Sequence, residues 1–218
     1  AAAAPAAAAA GEGPPPVARQ ELRWVTADEK PAAFLNVMAG EGGPPPGGPG
    51  GGGHAGRTLV FVRRRADTSE LLDFLAFVGH RAVLLHGDLA PEEREDAVRA
   101  FREGRAQTLI LTDAAGWGAD LPEVQRVVNY DLPATLDEYV RRLGQLSGPS
   151  GPCGAAIISL FVPCGESEHL LAARRLLEFL RESGAGGSIP EGLEAEVDQR
   201  LLGSRAGPCT RHAAPAGA

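Results

Sequence analysis

From residue 58 the chain alternates between two kinds of hydrophobic pattern. TLVFV (58–62), RAVLLH (81–86), QTLILT (107–112), RVVNY (126–130) and AAIISLFV (155–162) are short, nearly continuous apolar runs. Runs of that length suit strands buried on both faces, as in a parallel sheet. Between them the spacing turns helical. SELLDFLAFVG carries Leu71, Leu72, Phe74 and Leu75 at helical intervals. APEEREDAVRAFREG has Pro91 near a first turn and acids close behind it, as a helix N-terminus prefers. Ala97, Val98 and Phe101 give that helix an inward face, and Gly104 ends it. TLDEYVRRLGQL (135–146) and LLAARRLLEFLRES (170–183) read as two more helices. Upstream, LRWVT and DEKPAAFLNVM supply one further strand and helix. Strands alternating with helices predict an α/β fold, a parallel sheet with helices on both faces.

Composition trims this region from the 218 residues of the chain. Residues 1–19 begin AAAAPAAAAAGEGPPP and have almost nothing to bury, so they read as a disordered Ala/Pro-rich segment. GEGGPPPGGPGGGGHAG (40–56) reads as a flexible Gly/Pro-rich insert, and 203–218 as a disordered tail. One domain, residues 20–202, remains. The chain does not begin with methionine, which suggests a fragment or an incomplete gene model. Of its 21 Lys and Arg residues only Lys30 is a lysine, a bias that fits GC-rich coding. The net charge of −7 argues against a broad basic face, so any contact with nucleic acid is local. Cys153, Cys164 and Cys209 lack metal-ligand spacing and fit a reducing, intracellular setting, cytoplasmic or nuclear. No apolar run is long enough to cross a bilayer, so no membrane partner is expected.

In parallel sheets of this kind, function gathers where strands end and loops begin. Here those loops are HGD (86–88), TDAAGWGAD (112–120) and NYDLP (129–133). Each alone reads as ordinary turn chemistry; their joint order is informative. TLVFV, HGD with Arg94 six residues on, TDAAGWGADLPEV, VVNYDLP and EYVRRLGQ resemble, in that order, the C-terminal RecA-like lobe of DEAD-box RNA helicases. The resemblance is close over 58–162. It extends weakly to LRWVTADEKPAAFL and IPEGLEAE, which look like the flanks of the Vasa-like branch.

The resemblance implies an ATP-dependent RNA helicase lobe with a RecA-like sheet. Asp120, Gly118 and Arg142 match nucleotide-side positions, Asp120 being the acid that holds the ribose. Gly87, Arg94, Thr112 and Asp113 match positions that meet the RNA backbone, where an amide and a guanidinium fit phosphate oxygens. Phe61 matches an aromatic packed near the last motif, and also reads as a plain core residue. The implied partners are RNA, held without sequence specificity, and a first RecA-like lobe in the same gene product. The implied cofactor is ATP with Mg2+, held mainly by that first lobe and not by this lobe alone. No metal ligands are expected here.

Departures from the pattern matter as much. Trp117 stands where the family has arginine, Pro91 where it has glutamine, and Arg141 where it has histidine. Gln145 and Gly148 occupy the positions of the last two arginines, which in the family reach the γ-phosphate. A cationic finger there is worth ~10³ to 10⁵ in rate. Glutamine brings no charge and glycine brings no side chain, so no catalytic residue is expected and ATP turnover should be severely weakened. The sequence also contains no G-x-x-x-x-G-K-[ST]. A non-catalytic scaffold binding RNA or protein is the alternative. RRR (63–65) follows a strand and suits either phosphate contact or a solvated loop. His86 reads as a hydrogen-bonding turn residue.

Overall fold

The computed structural model describes residues 18–39, 56–116, 121–146, 155–163, 167–184 and 189–203. The Gly/Pro-rich insert apart from Gly56, residues 1–17 and residues 204–218 lie outside these, as do Trp117, Gly118, Asp120, Gly148 and the three cysteines.

Six strands form one sheet: β1 (Arg19–Trp24), β2 (Thr58–Phe61), β3 (Ala82–Leu85), β4 (Thr108–Leu111), β5 (Arg126–Asn129) and β6 (Ala156–Phe161). Their spatial order is β1-β6-β5-β2-β4-β3, and every pairing is parallel. β2, β4, β5 and β6 are buried at every position, which explains their continuous apolar runs. Alternate residues still serve different layers. Val60, Ile110, Val128 and Ile158 pack with Phe34, Val37, Met38, Leu71 and Leu75, beneath α1 (Lys30–Ala39) and α2 (Arg65–Phe77). Leu59, Phe61, Leu109, Leu111, Val127 and Ile157 face the other way. There they meet α3 (Pro91–Arg102), α5 (Leu136–Gly144), α6 (Ser167–Glu182) and α7 (Leu193–Gly203). This is the expected parallel sheet covered on both faces.

Several polar groups inside these layers are paired, as burial demands. Arg126, at the start of β5, donates from Nη1 to the Val37 carbonyl at 2.9 Å, closing the C-terminal turn of α1. Burial pushes its guanidinium down from its ordinary value. Tyr139 of α5 donates its hydroxyl to Gln20 Oε1 on edge strand β1 at 3.0 Å. Its ring meets Phe179 edge-on, with centroids 5.9 Å apart. Gly104 takes φ +74° immediately after α3, a left-handed conformation that costs glycine nothing and stops the helix where the sequence indicates.

Two elements differ from the pattern reading. The segment after β4 forms a one-turn helix, α4 (Asp113–Gly116), with the Ala115 N–H donating to the Thr112 carbonyl at 3.0 Å. Downstream, α7 is a helix built on Leu193, Val197 and Leu201, too thin an apolar stripe to stand out in the sequence. Ion pairs Arg174–Asp198 and Arg181–Glu194 tie it to α6.

Candidate nucleic-acid interface

The motif residues gather at the C-terminal ends of β3, β4, β2 and β5, four neighbours in the sheet. α5 enters this edge by a capping box at Thr135. Thr135 Oγ1 accepts from the Glu138 N–H at 3.2 Å, while Glu138 Oε2 accepts from the Thr135 and Ala134 N–H groups at 3.3 and 2.8 Å. Acids in the first turn and Arg141 and Arg142 in the last complement the helix dipole. Tyr139 and Arg142, three residues apart, share the inward face.

Arg142 is the centre of the site. Its side chain is 1% exposed. Nε and Nη2 donate to Asp113 Oδ1 and Oδ2 at 2.9 and 2.6 Å, a forked pair. Nη1 donates to Asn129 Oδ1 at 2.7 Å and to the Asp131 carbonyl at 3.0 Å. The guanidinium carbon lies 4.6 Å from the Phe61 ring centroid. Asn129 in turn donates from its amide to Ser159 Oγ at 2.8 Å. One buried cation thus joins the ends of β2 and β5 to α4, and through Asn129 reaches β6. In this geometry the Arg142 guanidinium is held by protein acceptors, and the Phe61 ring covers one of its faces. Phe61 is both a core residue and the aromatic beside the last motif.

Arg94 is half-buried and donates from Nη2 to the Ala115 carbonyl at 2.6 Å, bracing the α4 turn from α3. Thr112 and Asp113 lead into the same turn, so Arg94, Thr112, Asp113 and Arg142 form one connected unit. Gly87 is exposed on the adjacent loop. Among the described residues a Cβ there would meet nothing within 4 Å, so none of them requires glycine. His86 accepts the Asp88 N–H at Nδ1, 3.3 Å away, the turn role expected of it. Pro91 opens α3, where the Ala90 N–H donates to Glu93 Oε2 at 3.0 Å. Gln145 caps α5, its N–H donating to the Arg142 carbonyl at 3.1 Å. Arg141 is exposed and donates from Nε to the Asp137 carbonyl at 3.2 Å. Gly118, Asp120 and Gly148 lie outside the described residues.

Sequence reasoning missed Asn129 and Ser159 as network members, and it missed an ion pair at the same edge. Lys30 Nζ donates to Asp131 Oδ1 at 2.6 Å, with both side chains largely buried. The ammonium also lies 4.1 Å from the Tyr130 ring centroid. Asp131 Oδ2 accepts from the Arg63 N–H at 3.0 Å. The pair borders a cleft of about 410 Å3 between α1 and α2. Burial alone would raise the Asp131 carboxyl, but the Lys30 charge and the Arg63 N–H together hold it below its ordinary value of 3.8. A depressed carboxylate stabilises the fold above its unfolded pKa, and that contribution is lost as pH falls through the folded value. The melting-temperature gap between wild type and Asp131→Asn is therefore expected to be widest near about pH 6 and to close on acidification below about pH 4. A gap independent of pH between those limits counts against the pairing.

Among the described residues, no group of three or more His, Cys, Asp or Glu side chains is placed to hold a metal ion. Nor is any described helix long and apolar enough to cross a membrane.

The parallel sheet with an arginine-centred last motif defines a class: the RecA-like C-terminal lobe of helicases. Residues 52–146 match the family described as helicase conserved C-terminal domain. E. coli DEAD-box protein SrmB, in a structure with regulator of ribonuclease activity A (RraA), is 27% identical with a TM-score of 0.58, over 73% of this chain and 85% of that one. The RNA helicase Prp28 from Chaetomium thermophilum, bound to ADP, is 26% identical with a TM-score of 0.61, over 78% of this chain and 38% of that one. The present chain thus spans well under half the length of that Prp28. The C-terminal domain of S. cerevisiae Dbp5, bound to Gle1 and IP6, shares the fold at 22% identity and a TM-score of 0.57, over 85% of this chain and 99% of that one. Residues 52–146 thus match a helicase C-terminal domain, and the fold is shared with the C-terminal lobes of DEAD-box proteins.

Proposed function

We propose that this lobe binds RNA through the sugar–phosphate backbone, without sequence readout, and pairs with a first RecA-like lobe while supplying no arginine to the γ-phosphate of ATP. The observation that carries the second half is the forked Arg142–Asp113 pair. It spends the buried arginine of α5 on protein, while Gln145 at the helix end is uncharged. A lobe built this way serves RNA binding and cleft closure better than phosphoryl transfer, and by itself acts as an RNA-binding scaffold.

ATP with Mg2+ would be held chiefly by the first lobe. Among the described residues of this lobe, the one matched nucleotide contact, Arg142, is already committed. Gly118 and Asp120 remain nucleotide-side positions by resemblance. Gly87, Arg94, Thr112 and Asp113 supply the amide, guanidinium and loop for RNA phosphates. Within the DEAD-box proteins we read 22–35 and 189–196 as Vasa-like flanks. SrmB and Dbp5 are both seen with protein partners; a protein-binding role for this lobe is the second reading.

RNA binding is tested by anisotropy of a labelled single strand across a salt series. Affinity is expected to fall linearly in log–log form, by ~0.7 in slope per phosphate engaged. Arg94→Ala is expected to weaken it severalfold, by removing a cation and releasing the Ala115 carbonyl of the α4 turn. Unchanged affinity removes Arg94 from the surface.

A further inference from the structure

Helix α2 is acidic. It carries Asp67, Glu70 and Asp73 against one arginine, Arg65, whose charge goes to Asp88 on another loop. Asp67, Glu70, Leu71 and Phe74, spaced by three and four residues, share one flank of the helix. That flank lines the cleft of about 410 Å3, together with Lys30 and Pro31 of α1 and with Tyr130 and Asp131 from the end of β5. The volume falls within the range of ligand sites, about 300 to 1,000 Å3.

The cleft already displays the chemistry it accepts. Lys30 Nζ lies 4.1 Å from the Tyr130 ring centroid and 2.6 Å from Asp131 Oδ1, a cation held between a ring and a carboxylate. Arg64 forks onto Asp67 at 3.1 and 3.0 Å. Three carboxylates thus meet two cations, and Glu70 is left over. Among the described residues exposed Glu70 makes no hydrogen bond or ion pair, and the Tyr130 hydroxyl makes no hydrogen bond. Arg64 does not neutralise Glu70: its guanidinium is raised above its ordinary value chiefly by Asp67, and Glu70 contributes least. Burial first, then Asp131, Asp67 and Glu70, raise the Tyr130 hydroxyl above its ordinary value, so the field around it is negative. Phe74 places a half-buried ring one turn from Glu70. Phe77, a turn further on, is 89% exposed, the most exposed large apolar side chain among the described residues.

We propose that this cleft docks a basic peptide segment of a partner protein, in which an aromatic side chain is flanked by arginine or lysine. The partner's cation sits beside Glu70 and Phe74 as Lys30 sits beside Asp131 and Tyr130, and its aromatic residue covers Phe77. A polyanion is disfavoured there by the same unpaired carboxylate. The inference gives the protein-binding reading a surface and a partner charge, and it does not depend on RNA binding.

The test titrates the isotope-labelled full chain with the tripeptide Ac-Arg-Trp-Arg-NH2 and follows amide and aromatic resonances by NMR. Saturable shifts are expected at Glu70, Phe74, Phe77 and Tyr130. Ac-Glu-Trp-Glu-NH2 keeps the anchor and reverses the charge, and should bind at least ~10-fold more weakly. Glu70→Gln should cost the basic peptide ~3- to 5-fold in affinity, the upper range for an exposed ion pair, and cost the neutral Ac-Ser-Trp-Ser-NH2 nothing. Phe77→Ser should weaken the basic and neutral peptides alike. Both positions are exposed, and unchanged melting curves establish that binding is read on folded protein. Absence of saturable shifts, equal affinity for the basic and acidic peptides, or unchanged affinity in Glu70→Gln overturns the proposal. Shifts confined to another face overturn it while leaving the lobe a protein binder. An oligouridylate that moves the same resonances would assign the cleft to RNA and overturn it as well.

Discussion

Arg142→Met is expected to lower the unfolding free energy by about 3 kcal/mol, the low end of what breaking a buried ion pair costs. The side chain it removes serves four acceptors: two oxygens of Asp113, Asn129 Oδ1 and the Asp131 carbonyl. Methionine fills much of the space over Phe61 but satisfies none of them, and unsatisfied buried acceptors carry their full desolvation cost. Asp113 keeps a side-chain exposure of 22%, so water recovers part of that cost, which is why the lower figure applies. Arg142→Lys should recover little, since an ammonium cannot fork onto a carboxylate and reach Asn129 at once. Urea denaturation monitored by circular dichroism reads the difference. A loss below about 1 kcal/mol would place the pair among weak surface ion pairs. The buried geometry described here would then be wrong.

The same residue shows where sequence reading stops. Strands β2, β4, β5 and β6 were legible because burial on both faces writes itself as an unbroken apolar run. α5 was legible from Thr135, Glu138 and its two terminal arginines. Arg142 was recognisable as a motif residue, but its direction was not. An arginine reads the same whether it faces a phosphate or a buried aspartate, and the choice is made by Asp113, Asn129 and Phe61 from three other elements. Lys30 and Asp131 were further out of reach, lying 101 positions apart in the chain. They meet because α1 packs on the sheet against β5, whose end leads into Asp131. α4 was hidden for a local reason, since one helical turn leaves no periodicity. α7 declared itself too weakly, because its three inward-facing apolar residues gain their meaning only against α6.

ATP hydrolysis carries the other large effect. Gln145 sits at the C-cap of α5 with helical backbone angles, φ −69° and ψ −19°, and is half-exposed. An arginine fits there without strain, so the missing charge is a property of the side chain and not of the backbone. Neither neighbour compensates. Arg142 is committed to Asp113, and Arg141 lies one residue before it on the exposed side of the helix. Charge spreading over a transferring phosphoryl group would therefore meet no guanidinium from the end of α5. A positioned arginine is worth ~10³ to 10⁵ in turnover, so its absence should leave activity close to background. Position 148 adds to the deficit by sequence alone. The decisive measurement is RNA-stimulated ATP turnover by the full-length gene product, compared with its Gln145→Arg, Gly148→Arg variant. Near-background turnover in the unaltered protein, with a gain of ~10³ or more in the variant, is the predicted result. Robust RNA-stimulated turnover in the unaltered protein would contradict it.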